Sequence, residues 1–245
     1  IIGSNISNIL LVFGVLLFFS KGFNIKIQAK DMAFLFISTF LITVGVFLSK
    51  ISIALSTVLL FFFLLYIYVS VVYGKKKDFI EEAKESEDGF HGKSNPLLLF
   101  VLFSSLIGLS LAARGVVFSV EELGIILGIP IELLTLTTVA FATSLPEIVV
   151  TYTSAKKEEY SLGVGNIIGS NISNILLIGG FSGIFAELFA NGLSFAGEAF
   201  FISIYMMAGV TLLFVGMLFK KELPPYYSYV LFLLYAIYIY FIFFY

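Results

Sequence analysis

Long apolar runs, broken at intervals by short polar stretches, organise the chain from end to end. A membrane-spanning helix needs about 20 mostly apolar residues, within a range of about 17–25. Eight stretches meet that rule: Ile1–Phe19, Met32–Ser49, Ile51–Tyr73, Pro96–Val117, Leu133–Ala155, Ser161–Ala186, Ala199–Phe219 and Tyr226–Tyr245. Lys50 alone separates the second from the third, which predicts a tight helical hairpin. Only residues 74–95 are polar over any length, with Lys75-Lys76-Lys77 followed by a mixed acidic run. That composition reads as a solvated linker between residues 1–73, with three spans, and residues 96–245, with five. The expected fold is all-α, a multi-span transmembrane helical bundle. The chain opens at Ile1 inside an apolar run with no basic flank, so it reads as lacking its natural start and not as carrying a signal peptide.

Composition agrees with the pattern. Hydrophobic residues make up 60% of the chain and charged residues 12%, and the mean hydropathy is +1.07. Soluble domains carry roughly 25% charged residues. The absence of cysteine excludes disulfides and thiolate metal sites. The single histidine, His91, lies in the polar linker, and no nucleophile–base pair is visible in the spans. An enzyme is therefore not expected, nor a cofactor or a nucleic-acid partner. The partners expected are the lipid bilayer and transported ions.

Charge placement gives an orientation. If every apolar run crosses once, Lys21, Lys26, Lys30, Lys75, Lys76, Lys77, Lys84, Lys93, Lys156, Lys157, Lys220 and Lys221 fall on one side. Lys50 and Arg114 fall on the other, a division of twelve against two that accounts for all fourteen basic residues. The positive-inside rule makes the lysine-rich loops cytoplasmic in a multi-pass cell-membrane protein. Arg114 is expected to snorkel to the outer interface. Asp31, Glu132 and Glu198 stand at helix starts, where an acid favours the dipole. The tyrosines and phenylalanines of the last span read as interfacial and lipid-facing.

Residues Ile1 to Leu11, Ile-Ile-Gly-Ser-Asn-Ile-Ser-Asn-Ile-Leu-Leu, recur unchanged at Ile167 to Leu177. Identity over eleven residues of mixed polarity marks an internal duplication. The copies lie in the first and sixth spans. Five crossings separate them, so the related helices point in opposite directions, an inverted-topology repeat of the kind that places a transporter's site near the midplane. Within each copy a serine and an asparagine four apart, Ser4 and Asn8 or Ser170 and Asn174, share one helix face.

A second polar cluster sits in the fifth span, at Ala140-Phe141-Ala142-Thr143-Ser144-Leu145-Pro146-Glu147. A carboxylate at that depth costs about 2.5–3.5 kcal/mol on insertion scales. Thr143 and Ser144 precede Glu147 by four and three residues, so all three can face one point. Pro146 lacks an N–H, which is expected to break the helix and free the carbonyl of Ala142. Hydroxyl, amide, carboxylate and carbonyl oxygens are the ligand set of a hard cation.

These residues resemble the two alpha-repeat signatures of the sodium/calcium exchanger family, within the wider cation/calcium antiporters. The match is Ala-Thr-Ser-Leu-Pro-Glu at 142–147 and Gly-Asn-x-x-Gly-Ser-Asn-x-x-Asn at 165–174, with the latter repeated in part at 3–8. The resemblance implies a fold of ten spans in two inverted halves, of which this chain holds eight, with two further spans expected upstream. It implies a cage in which Glu147 is the main carboxylate. Thr143, Ser144, Ser170 and Asn174, with Ser4 and Asn8 from the other half, would be oxygen ligands, as would the backbone carbonyl of Ala140. Several family members carry aspartate where this chain has Asn174, and proton-coupled relatives lack it too. The expectation is a calcium/sodium antiporter; the alternatives are a proton/calcium antiporter and, behind it, an ion channel or a non-transporting membrane protein.

Overall fold

The computed structural model describes residues 1–22, 27–48, 50–74, 96–190, 193–194, 198–220 and 222–244. They form eight helices: α1 (Ile2–Phe18), α2 (Ala29–Phe47), α3 (Ile53–Gly74), α4 (Pro96–Leu127), α5 (Ile131–Lys156), α6 (Tyr160–Phe189), α7 (Glu198–Leu218) and α8 (Tyr227–Phe244). Each matches one of the eight apolar stretches. Among the described residues, α2, α3 and α5–α8 are long and apolar enough by length and composition to cross a membrane. Residues 75–95, and with them His91 and the lysine cluster, lie outside the described residues, as does the side chain of Arg114.

The bundle divides into two units. The first comprises residues 1–63 and 132–245; the second comprises residues 64–131, the end of α3 and the whole of α4. In the second unit α4 runs ten residues past the expected end at Val117, to Leu127. Nothing between Val117 and Gly124 breaks a helix. It stops where Gly128 takes a positive φ of 63° and the N–H of Ile129 turns back to the carbonyl of Gly124.

In the first unit α1 is the centre. Its side chains Ile6, Ile9, Leu10, Val12, Phe13, Leu16 and Leu17 are all fully buried. From Ile9 to Phe18 α1 is apolar all round, as a helix inside a bundle is. Its repeat mate α6 buries Val164, Ile167, Ile168, Ile172, Ile175 and Leu176. The first half of α1 packs on α7, and α6 packs on α2, the repeat mate of α7. The expected pseudo-symmetry is thus present in the packing. Gly14 lies against Phe232 of α8, and its mate Gly180 lies against Leu60 of α3.

The loops come together as alternate crossing requires. Lys21, after α1, donates from Nζ to Glu158 Oε1 at 2.8 Å, after α5. In the short connection between α2 and α3, Lys50–Ile51 pairs antiparallel with Leu193–Ser194, between α6 and α7. The hydrogen bond and charge of Lys21 hold the Glu158 carboxyl below the usual range and raise Lys21 itself. Both side chains are exposed, so water and salt screen the pair. Lys21→Ala should leave the unfolding midpoint of the detergent-solubilised protein unchanged at physiological salt; a clear drop would show that this loop contact holds the bundle.

Two expectations about local structure need correction. Pro146 does not break α5, which continues as α-helix from Ala140 to Lys156. The ladder instead widens into π-helical turns at Thr135–Val139, upstream of the proline. Pro146 removes a single N–H from the ladder, and contacts with α1 and α6 support α5 along its length. The aromatics of α8 are not all lipid-facing either. Tyr238 is buried, its hydroxyl 3.2 Å from Ser203 Oγ on α7. A buried phenol keeps a partner for its O–H.

Candidate cation site

The two copies of the repeat meet face to face. Each helix changes from α to π geometry at the same residue of the motif, at Asn8 in α1 (Asn8–Val12) and at Asn174 in α6 (Asn174–Gly179). Such π turns are frequent at functional sites because they re-aim side chains. In both helices the turning asparagine directs its backbone N–H at the same two carbonyls, those of Asn5 and Ser4 in α1 and of Asn171 and Ser170 in α6.

Side chains repeat this symmetry. Asn8 Nδ2 donates to Ser170 Oγ at 3.2 Å and to Asn171 Oδ1 at 3.0 Å. Asn174 Nδ2 donates to Ser4 Oγ at 3.2 Å and to Asn5 Oδ1 at 3.0 Å. Asn5 Nδ2 reaches the carbonyl of Asn171 at 3.5 Å, and Asn171 Nδ2 reaches the carbonyl of Asn5 at 3.4 Å. The later residue of one motif meets the earlier residue of the other, so the helices cross in opposite directions. This is the inverted repeat in atomic detail.

Glu147 joins the network from α5. Its Oε1 accepts from Ser170 Oγ at 3.0 Å, and Ser170 in turn accepts from Asn8. The donors of this chain run from Asn8 through Ser170 to the carboxylate. No lysine, arginine or histidine is hydrogen-bonded to the network among the described residues. Three buried oxygens here have no hydrogen-bond partner: Glu147 Oε2, Asn8 Oδ1 and Ser144 Oγ. Leaving a buried polar atom unpaired costs about 1–3 kcal/mol, and more when it is charged. The oxygens of Glu147 and Asn8, two residues both joined to Ser170, are candidate ligands of a hard cation, and Ser144 stands three residues before Glu147 on the same helix.

The remaining residues expected at the site are placed less uniformly. Ser4 donates to the carbonyl of Ile1 at 2.9 Å while accepting from Asn174. Thr143 donates to the carbonyl of Ala140 at 2.9 Å, so these two are bonded to each other within α5. Thr143 Oγ1 still holds acceptor capacity, and among the described residues no hydrogen bond ties either group to Glu147. Sequence reasoning missed Asn5 and Asn171, both about 1% exposed, which join the halves. Each stands one residue, about 100° of helix, from its serine, and spacing alone does not show that it faces the other copy. The further buried polar atoms without a hydrogen-bond partner among the described residues include Thr151 Oγ1 and Asn166 Nδ2. They lie one turn from Glu147 and Ser170, toward the α5–α6 connection.

Gly3 sets the distance between α1 and α5. A Cβ there would run into the carbonyl oxygen of Leu136 and come within 2.8 Å of Ala140 Cβ. Only a residue without a side chain lets the backbone of α1 approach α5 this closely.

A family model described as sodium/calcium exchanger protein matches residues 1–72 and 97–244. The sodium/calcium exchanger MaX1 of Methanosarcina acetivorans is 37% identical over 115 residues, 46% of this chain and 31% of that protein. An uncharacterized membrane protein of Methanocaldococcus jannaschii is 33% identical over 178 residues, 71% of this chain and 55% of that protein. The chain therefore spans 31% and 55% of the length of these two relatives. Among solved structures, the H+/Ca2+ exchanger CAX superposes with a TM-score of 0.79 over 98% of this chain and 66% of its own. Its identity is 19%, a likeness of fold alone. The sodium-calcium exchanger NCX_Mj gives a TM-score of 0.64 at 25% identity, covering 96% of this chain and 73% of its own.

Proposed function

The chain belongs to the sodium/calcium exchanger protein family, and from that premise we propose that it is a secondary antiporter exchanging calcium for sodium by alternating access. The observation that carries this reading is the set of unpartnered buried oxygens at Glu147, Asn8 and Ser144, where the inverted copies cross. Ca²⁺ takes 6–8 oxygens at about 2.3–2.6 Å. Glu147, Ser144, Asn8 and Ser170, with Asn174, Ser4, Thr143 and the carbonyl of Ala140, are the ligands this reading assigns. Calcium and sodium would compete for overlapping members of the set.

The physics of exchange follows from burial. An empty site holding a bare carboxylate resists moving through a low-dielectric barrier, because an unpaired charge there is costly. An ion neutralises that charge and removes the barrier, so only loaded states reorient. Return in a loaded state by the other ion gives coupled exchange. The lysine-rich loops are assigned to the cytoplasm in this reading. Thr151 and Asn166, beside the site on the side of Lys156, would line the approach from that compartment.

A second reading, proton/calcium exchange, is favoured by one observation. Asn174 stands where several family members carry an aspartate, which the proton-coupled relatives lack too. One flux experiment separates the two. In vesicles holding the intact protein, an outward sodium gradient at equal pH should drive calcium uptake. Uptake driven only by a pH gradient would replace sodium with the proton as coupling ion.

A further inference from the structure

Asparagine is an ambiguous ion ligand. Its amide presents an oxygen on one side and two N–H donors on the other, and only the oxygen can face a cation. Something must fix which side is presented. We infer that Asn171 and Asn5 do this: they are positioning residues that hold Asn8 and Asn174 oxygen-first toward the ion. The inference rests on the cation-site reading above, and deepens it.

The orientation follows step by step from donors and acceptors. The carbonyl of Asn5 can only accept, so the side-chain group of Asn171 that reaches it, at 3.4 Å, is the amide nitrogen. Asn171 must then present its Oδ1 to the neighbouring Asn8, at 3.0 Å. An oxygen there requires a donor from Asn8, so Asn8 turns its Nδ2 toward Asn171. Ser170, which spends its own proton on Glu147, takes the second donor at 3.2 Å. Both N–H groups of Asn8 are thereby used, and its Oδ1 is left buried with no partner. Asn5 acts on Asn174 by the mirror-image path, through the carbonyl of Asn171 and the bond to Asn5 Oδ1. Each orienting asparagine is anchored on the backbone of the opposite helix, so the two halves align each other's ligands. Neither Asn5 nor Asn171 has an unpartnered side-chain oxygen, which separates them from the ligands themselves.

The test is a double-mutant cycle on Asn8→Ala and Asn171→Leu in the intact, detergent-solubilised protein, read by thermal unfolding with and without calcium. Without calcium, each single change should lower the midpoint by about 2–4 °C, and the double change by less than the sum, because one bond is shared. In a calcium titration, Asn171→Leu should raise the concentration needed for half-maximal protection about 10–100-fold, the range for loss of an outer-shell partner. On the Asn8→Ala background it should add no more than about twofold, since no amide remains to be oriented. If Asn171→Leu does not fold, Asn5→Leu makes the same prediction through Asn174. A calcium response in Asn171→Leu identical to the parent's, or full additivity with Asn8→Ala, overturns the positioning role alone. A parent protein that calcium does not protect overturns the cation-site reading and this inference with it.

Discussion

Glu147→Gln should abolish calcium transport by the intact protein while leaving it folded. The amide is nearly the shape of the carboxylate, and its oxygen can still accept the proton of Ser170 that now goes to Oε1. What the change removes is the charge. Two unit charges 4 Å apart interact by about 4 kcal/mol at an effective dielectric near 20. That alone corresponds to roughly a thousandfold in affinity, and a divalent ion in contact gains more. Removing a bare acid from the bundle also removes a desolvation cost, so the thermal midpoint without calcium should hold or rise. Flux in vesicles and calcium protection in detergent read the two effects separately. Near-normal flux in this variant removes Glu147 from the site.

The second large effect expected is that of Gly3→Val. The position is part of the repeat, and Gly3 lies where α1 crosses α5. The obstacles to a side chain there are the backbone oxygen of Leu136 and the Cβ of Ala140, neither of which can swing away. The helices must therefore separate. Overpacking of this kind costs typically 1–3 kcal/mol. The functional cost should be larger than the stability cost, because Glu147 is carried on α5 and Asn8 on α1. Displacing one helix from the other opens the oxygen set, and a misplacement near 1 Å can cost about a hundredfold in rate. Gly3→Ala, with a single methyl, should fall between parent and valine in both unfolding midpoint and calcium flux. Parent-like flux for Gly3→Val would mean that the α1–α5 distance does not set the site.

Much of this architecture is legible in the residues. The eight apolar runs map one to one onto eight helices because the length of a spanning helix is set by the bilayer and not by local propensity. The eleven-residue duplication, with five crossings between its copies, gives the inverted pairing before any coordinate is seen. Ser170 and Glu147 are indeed bonded, and Asn8 is indeed beside them. What the sequence conceals is of two kinds. One is the response of the backbone: Pro146 signals a break, but neighbouring helices hold α5 together and its ladder widens at Thr135–Val139 instead. The other is the direction of a side chain. Spacing places Ser4 and Asn8 on one face, yet cannot say that Asn5, one residue round the helix, carries the contact between halves. Nor can spacing tell that Thr143 bonds the carbonyl of Ala140 within its own helix. The lysine division assumes alternate crossing, and the Lys21–Glu158 and Lys50–Ser194 contacts join loops that this alternation assigns to the same side.

The central claim is that the orphaned oxygens of Glu147, Asn8 and Ser144 hold the transported cation between the crossed repeats. Diffraction from crystals of the intact protein grown with and without calcium examines it most directly. The account predicts a calcium-dependent density peak about 2.3–2.6 Å from Glu147 Oε2 and Asn8 Oδ1, with Asn8 still donating to Asn171. Calcium bound away from α5, with Glu147 unchanged and its Oε2 facing no ion, would contradict it.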